Sequence, residues 1–308
     1  MQPIFLFSLP RAGSTLLQRI LGAHRDIATA SEPWLLLPLL YSLKADGART
    51  DYGHRLAVTG IEDLCALLPK GKEDYLAEIR ETALRLYAKA AKREVRYFLD
   101  KTPRYHLIAR EIISLFPDAK HVFLWRHPLA TLGSFIEYFG QGRWNLYGYR
   151  VDLFDGIANL TTAFTQSQTK VHALRFEDLI TSRDATLEKL FAYLELPFDA
   201  TAADAFSQVK LPGRLGDAGG STTYTQLEPE PLDKWKRTLR NPLRKRWARR
   251  YLEWIGAERL RVMGYSLETL LGELDGVPFS AQYVLSDLVR MSYGCVQTCR
   301  GRVWQHYA

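Results

Sequence analysis

Residues 4–17 read Ile-Phe-Leu-Phe-Ser-Leu-Pro-Arg-Ala-Gly-Ser-Thr-Leu-Leu, and no other stretch restricts the fold as much. The apolar run Ile4–Leu9 suits a strand buried on both faces. Leu16, Leu17, Ile20 and Leu21 then recur at helical spacing, which predicts a helix over Ser14–Gly22. Between them lies a turn holding Gly13 and the hydroxyls of Ser14 and Thr15. Turn amides and a helix N-terminus then point their positive dipoles at one spot, which suits a phosphate or a sulfate.

The rest of the chain repeats the alternation. Val95–Leu99, His121–Trp125 and Val171–Phe176 read as strands. Tyr75–Ala91, Arg104–Phe116, Leu129–Tyr138 and Ala185–Leu194 read as helices. Strands separated by helices predict an α/β fold of three layers, a central parallel β-sheet flanked by helices. We read residues 1–308 as one domain, with a core over about 3–240 and appended helices over 241–308. Val209–Pro231 is rich in Gly, Pro, Ser and Thr and reads as a long loop of the lid or binding type.

Composition narrows the class. Hydrophobic residues make up 47%, which excludes a disordered or low-complexity chain. The formal net charge is +7, yet residues 234–250 alone carry nine Lys/Arg and no Asp or Glu. The excess is therefore local, and it favours an anionic partner. The three cysteines, Cys65, Cys295 and Cys299, show no framework spacing, which fits reduced thiols. No apolar run is long enough for a membrane span or a secretory leader, so we expect a cytoplasmic protein with no transmembrane segment.

The first loop is close to an ATP-binding phosphate loop but departs from it twice. That motif needs Gly where Ser8 stands and Lys where Ser14 stands. The cation is Arg11, two residues before Gly13. With this arrangement the loop resembles the 5′-phosphosulfate loop of sulfotransferases that use 3′-phosphoadenylyl sulfate (PAPS). The resemblance extends over roughly residues 3–240, closest in motif to the tyrosylprotein, heparan-type and bacterial branch. It includes Gly22-Ala23-His24, Ser31-Glu32-Pro33-Trp34, Asp100-Lys101-Thr102-Pro103, Trp125-Arg126-His127-Pro128 with Ser134, Arg175-Phe176-Glu177-Asp178-Leu179 and Lys234-Trp235-Lys236.

That resemblance implies a P-loop-like fold and sulfuryl transfer from PAPS, with 3′,5′-adenosine bisphosphate as product. Arg11, Ala12, Gly13, Ser14 and Thr15 would hold the 5′-phosphosulfate. Arg126 and Ser134 would grip the 3′-phosphate, with Ser221 and Lys234 as later donor contacts. Arg11 and Lys101 would stabilise the transferring group, and no metal is expected, since cations and amides cover the donor oxygens. Lys101-Thr102 is followed by Pro103 where cytosolic small-molecule sulfotransferases carry a His, so Glu32 becomes the candidate base. Desolvation at the end of a buried segment makes a carboxylate more basic. His106 and His127 are the other candidates, though His127 follows Arg126 directly and could serve to orient it. Phe176 stands where that branch has Tyr, which removes one hydroxyl contact.

The acceptor, a hydroxyl or amine of a small molecule or saccharide, would meet Glu32, Trp34 and aromatics from residues 137–150, among them Tyr138, Trp144 and Tyr147. Two rival readings are a P-loop small-molecule kinase and a basic nucleic-acid or membrane-surface module over 234–250. The kinase lacks its lysine at Ser14, and the basic segment reads more simply as a solvated helix beside the nucleotide, so no nucleic-acid partner is expected. The stretch 277–308 lies beyond the resemblance. It is open to packing on the core, shaping the acceptor mouth or making a homodimer contact.

Overall fold

A computed structural model describes residues 1–167, 170–216 and 232–299. Five parallel strands form one sheet: β1 (Gln2–Phe7), β2 (Ile27–Thr29), β3 (Tyr97–Asp100), β4 (Lys120–Trp125) and β5 (Val171–Arg175). Their order is β2-β3-β1-β4-β5, so the first strand lies at the centre. Its register pairs Phe5 with Asp100 on one side and with His121 on the other. The strand expectations hold, with one addition. β2 is three residues long and too short to give a periodic signal.

Alternation along the strands makes the two faces. Ile4, Leu6, Tyr97, Leu99, Val122 and Leu124 bury one way. They meet α1 (Ser14–Gly22), α8 (Phe176–Thr181), α9 (Arg183–Leu194) and residues near α10 (Ala200–Asp204). Phe5, Phe7, Phe98, Phe123 and Trp125 bury the other way. There they meet α2 (Leu36–Tyr41), α4 (Lys72–Ala91), α5 (Ala109–Leu115), α6 (Pro128–Gly140) and α7 (Gly156–Gln166), while α3 (His54–Leu67) adds only Val58 and Cys65 to the buried set. The later helices α11 (Lys234–Thr238), α12 (Pro242–Val262) and α13 (Leu267–Asp275) join this second core, and α14 (Val284–Cys299) follows them. The result is the expected α/β sandwich of three layers.

The helix predicted over Arg104–Phe116 is in fact two pieces. A 3₁₀ segment, Pro103–Leu107, ends at Ile108, whose φ of −138° breaks the helix before α5. The tighter turn points both Tyr105 and His106 inward, where both are fully buried. Among the described residues no helix is long and apolar enough to cross a membrane.

Candidate active site

The loop after β1 is shaped by two left-handed residues. Gly13 has φ 90°, and a Cβ there would lie 2.3 Å from the Phe176 ring. Only glycine fits. Arg11 adopts φ 64° although it is not glycine, a conformation the surrounding contacts must hold. The carbonyl of Arg11 accepts a 2.6 Å hydrogen bond from Arg126 Nη1. The Arg126 guanidinium lies 4.7 Å from the Phe176 ring centre. Phe176, read from the sequence as a lost hydroxyl, thus contacts both the loop glycine and the strand-end arginine.

The Arg11 side chain reaches across to α6. Its guanidinium carbon stands 3.8 Å over the Tyr138 ring, and its Nε donates to Ser134 Oγ at 3.3 Å. Residues predicted to hold the two ends of one donor are therefore adjacent. Beneath the loop, α1 begins at Ser14 with no side-chain cap, so its first amides face the same opening.

Opposite lies the Glu32 and Lys101 pair. Lys101, at the C-terminal end of β3, is 1% exposed, and its Nζ meets Glu32 Oε1 at 2.8 Å and Thr15 Oγ1 at 3.5 Å. Glu32 Oε2 accepts from Trp34 Nε1 at 3.2 Å. Trp34 sits at φ 54° and is fixed through its amide, which donates to Thr102 Oγ1. Thr102 in turn donates to Asp100 Oδ1, while Tyr87 and Tyr105 donate to Asp100 Oδ2 at 2.6 and 2.8 Å. Burial pushes the Asp100 carboxyl up to about 6, against the pull of these three hydroxyls. This network ties the segment carrying Glu32 to β3, and the sequence reading, which quoted Asp100 only within the Lys101 motif, gave it no part.

These groups line one cavity of about 380 Å³. It gathers Arg11, Gly13, Ser14, Thr15, Glu32, Trp34, Lys101, Arg126 and Tyr138 from the sequence prediction. It also includes Arg104, Phe139, Tyr149 and Leu215, which the predicted set lacked. Ala12 is buried in the loop beside it, and Ser134 joins only through Arg11. Ser221 lies outside the described residues, and Lys234 is exposed on α11.

The aromatic stretch 137–150 divides. Tyr138, Phe139 and Tyr149 line the cavity. Trp144 and Tyr147 do not: Trp144 is 3% exposed and packs edge-on to Trp247, and Tyr147 packs on Tyr293 of α14. Neither histidine alternative lines the cavity. His106 is fully buried against Asp152 at 3.0 Å, and His127 caps α6 through Nδ1.

The basic segment is partly structural. Arg244 is buried and binds Asp287 through two nitrogens and the carbonyls of Thr238 and Gly142. Lys245 holds the Asp275 and Val277 carbonyls at the end of α13, and Arg249 pairs with Asp275. Three of the nine cations of 234–250 therefore stitch helices together rather than facing an external polyanion.

A parallel sheet whose first strand ends in a glycine loop, with cations and a carboxylate at that edge, defines an α/β protein with an edge suited to a multiply charged anion. The model of the Sulfotransferase family matches residues 3–200, and the chain belongs to that family. It is 37% identical over 134 residues to nodulation protein NoeE of Sinorhizobium fredii, covering 42% of this chain and 30% of that protein. It is 24% identical over 244 residues to protein-tyrosine sulfotransferase 1 of Danio rerio, covering 75% of this chain and 65% of that one. The chain thus spans less than two thirds of the length of each. In fold it is similar to a sulfotransferase domain of the Synechococcus PCC 7002 olefin synthase, with a TM-score of 0.53 at 23% identity, over 76% of this chain and 87% of that one. A sulfotransferase domain from the curacin biosynthetic pathway gives 0.51 at 23%, over 76% and 89%.

Proposed function

We propose that the chain transfers a sulfuryl group from PAPS to a hydroxyl or amine of a small-molecule or saccharide acceptor. The observation that carries this reading is the meeting of Glu32, Lys101 and Thr15 at the glycine loop, in one cavity with Arg11 and Arg126. The residues fit such a donor. The loop leaves no room for a Cβ at Gly13, and the first amides of α1 carry no side-chain cap. PAPS supplies an electrophilic sulfur joined to a phosphate leaving group.

Within this reading the loop amides from Arg11 to Thr15 hold the phosphosulfate, and Arg126 with Ser134 holds the 3′-phosphate. Glu32 takes the proton of the acceptor as its oxygen or nitrogen bonds to sulfur and the bond from sulfur to the phosphate oxygen breaks. Lys101 and Arg11 stabilise charge that grows on the leaving oxygen. Arg11 keeps its proton throughout, so its part is electrostatic. Lys101 begins paired with Glu32 and is placed to exchange that partner for the donor. Trp34, Tyr138, Phe139 and Tyr149 give the acceptor flat apolar walls. Cytoplasmic action is consistent with the free thiols of Cys65 and Cys295.

Thermal unfolding in the presence of nucleotides tests the donor. We expect strong stabilisation by 3′,5′-adenosine bisphosphate, less with Arg126→Ala, and little from ATP with Mg²⁺. No shift at millimolar bisphosphate, or a larger one with ATP, would sink the reading. Glu32→Gln is expected to keep the shift and to lower transfer by about 10²–10⁴-fold; turnover like the unsubstituted protein's would remove Glu32 as the base.

A further inference from the structure

The donor reading accounts for Arg126 but not for what holds the residue beside it. His127 is held by contacts from several elements. Its backbone N–H donates to Glu177 Oε1 at 3.0 Å, and Tyr265 donates to the other oxygen of Glu177 at 2.6 Å. Its ring stacks on Trp235 at 5.3 Å and meets Tyr265 edge-on at 5.9 Å. Its Nδ1 accepts the Ala130 N–H at the start of α6, so the ring proton belongs on Nε2. That Nε2–H donates to Glu273 Oε2 at 2.9 Å, from α13.

Glu273 therefore fixes a tautomer. Without it the ring is free to carry its proton on Nδ1, where it would face the Ala130 N–H and lose the cap. The same ring supports Trp235, whose neighbour is Lys234. α11 is pressed so closely onto α6 that a Cβ at Gly133 would come 2.9 Å from Trp235 Cα. The hydrogen bond from His127 also holds the Glu273 carboxyl below its ordinary range.

We propose that Glu273 is a positioning residue of the donor site: through His127 it latches α13 to the strand end that presents Arg126 and to the helix that presents Lys234. Glu273 lies beyond residue 200, where the family match ends, so the latch ties a later helix to residues inside the match. This inference rests on the donor reading above.

Calorimetric binding of two nucleotides, 3′,5′-adenosine bisphosphate and adenosine 5′-monophosphate, tests it with melting curves alongside. Glu273→Ala should weaken the bisphosphate about fivefold and leave the monophosphate unchanged. Glu273→Gln, whose amide oxygen still accepts from Nε2–H, should bind both like the unsubstituted protein. In a Glu273→Ala/His127→Phe pair, the double variant should be no weaker than the weaker single one. The latch is overturned if Glu273→Ala binds the bisphosphate normally, weakens both nucleotides alike, or is matched by Glu273→Gln, or if the two substitutions add. If the unsubstituted protein fails to prefer the bisphosphate, the donor reading falls and the latch with it. If that preference is intact and Glu273→Ala does not alter it, the latch falls alone.

Discussion

Two buried side chains next to the central strand respond to pH in opposite directions. Asp100 is raised from 3.8 to about 6 by burial, so it holds its proton more tightly folded than unfolded. Its contribution is full below about 3.8 and is lost as pH rises through about 6. His121 is lowered from 6.5 to about 4, again chiefly by burial, with Nε2 donating to the Phe116 carbonyl. Its contribution is full above 6.5 and is lost as pH falls toward 4. Each is worth about 3 kcal/mol across its window, so the two offset between pH 4 and 6.5. Replacing Asp100 with Asn should expose the histidine slope. Relative to that variant, the unsubstituted protein should gain about 3 kcal/mol between pH 6.5 and 4 in urea unfolding; parallel curves would refute the assignment. The sequence could name Lys101 and Glu32 because each lies in a short contiguous motif that resembles a sulfotransferase segment. It could not name Asp100, whose partners Tyr87 and Tyr105 reach it from a separate helix and a 3₁₀ turn.

At the level of elements, the loop between β1 and α1 was readable because its signal is contiguous: an apolar run, a turn glycine, then helical spacing. What it packs against was not, since Phe176 lies far along the chain. Gly13→Ala should cost about 2–4 kcal/mol, from the left-handed backbone and the collision with the Phe176 ring. Adding Phe176→Leu should recover the steric part and leave the conformational part. A denaturant series on the two singles and the double separates them, and strict additivity would show that Phe176 is not the obstacle. The aromatic stretch 137–150 shows the limit of composition. It groups aromatics of different burial, from exposed Tyr138 to buried Trp144, and which of Tyr138, Trp144, Tyr147 and Tyr149 meets the cavity depends on helices α12 and α14.

Over the whole molecule, part of the local charge excess in residues 234–250 belongs to the frame that joins the later helices. Arg244 and Asp287 are both buried and joined through two hydrogen bonds. Arg244→Met leaves Asp287 with a buried charge and should cost about 3–5 kcal/mol, while pairing it with Asp287→Leu should restore most of that. Thermal melts of the three variants decide between this and a surface role, in which Arg244→Met would cost little. The order of the strands has a further consequence, for biosynthesis. The central strand, residues 2–7, is made before both of its neighbours, residues 97–100 and 120–125. At ordinary rates of translation it waits roughly ten seconds for them. Its apolar run has no sheet to enter during that interval, and the glycine loop has no Arg126 to hold it. This strand therefore matures long after it is synthesised, and it is the nascent protein, more than the finished one, that needs protection from aggregation.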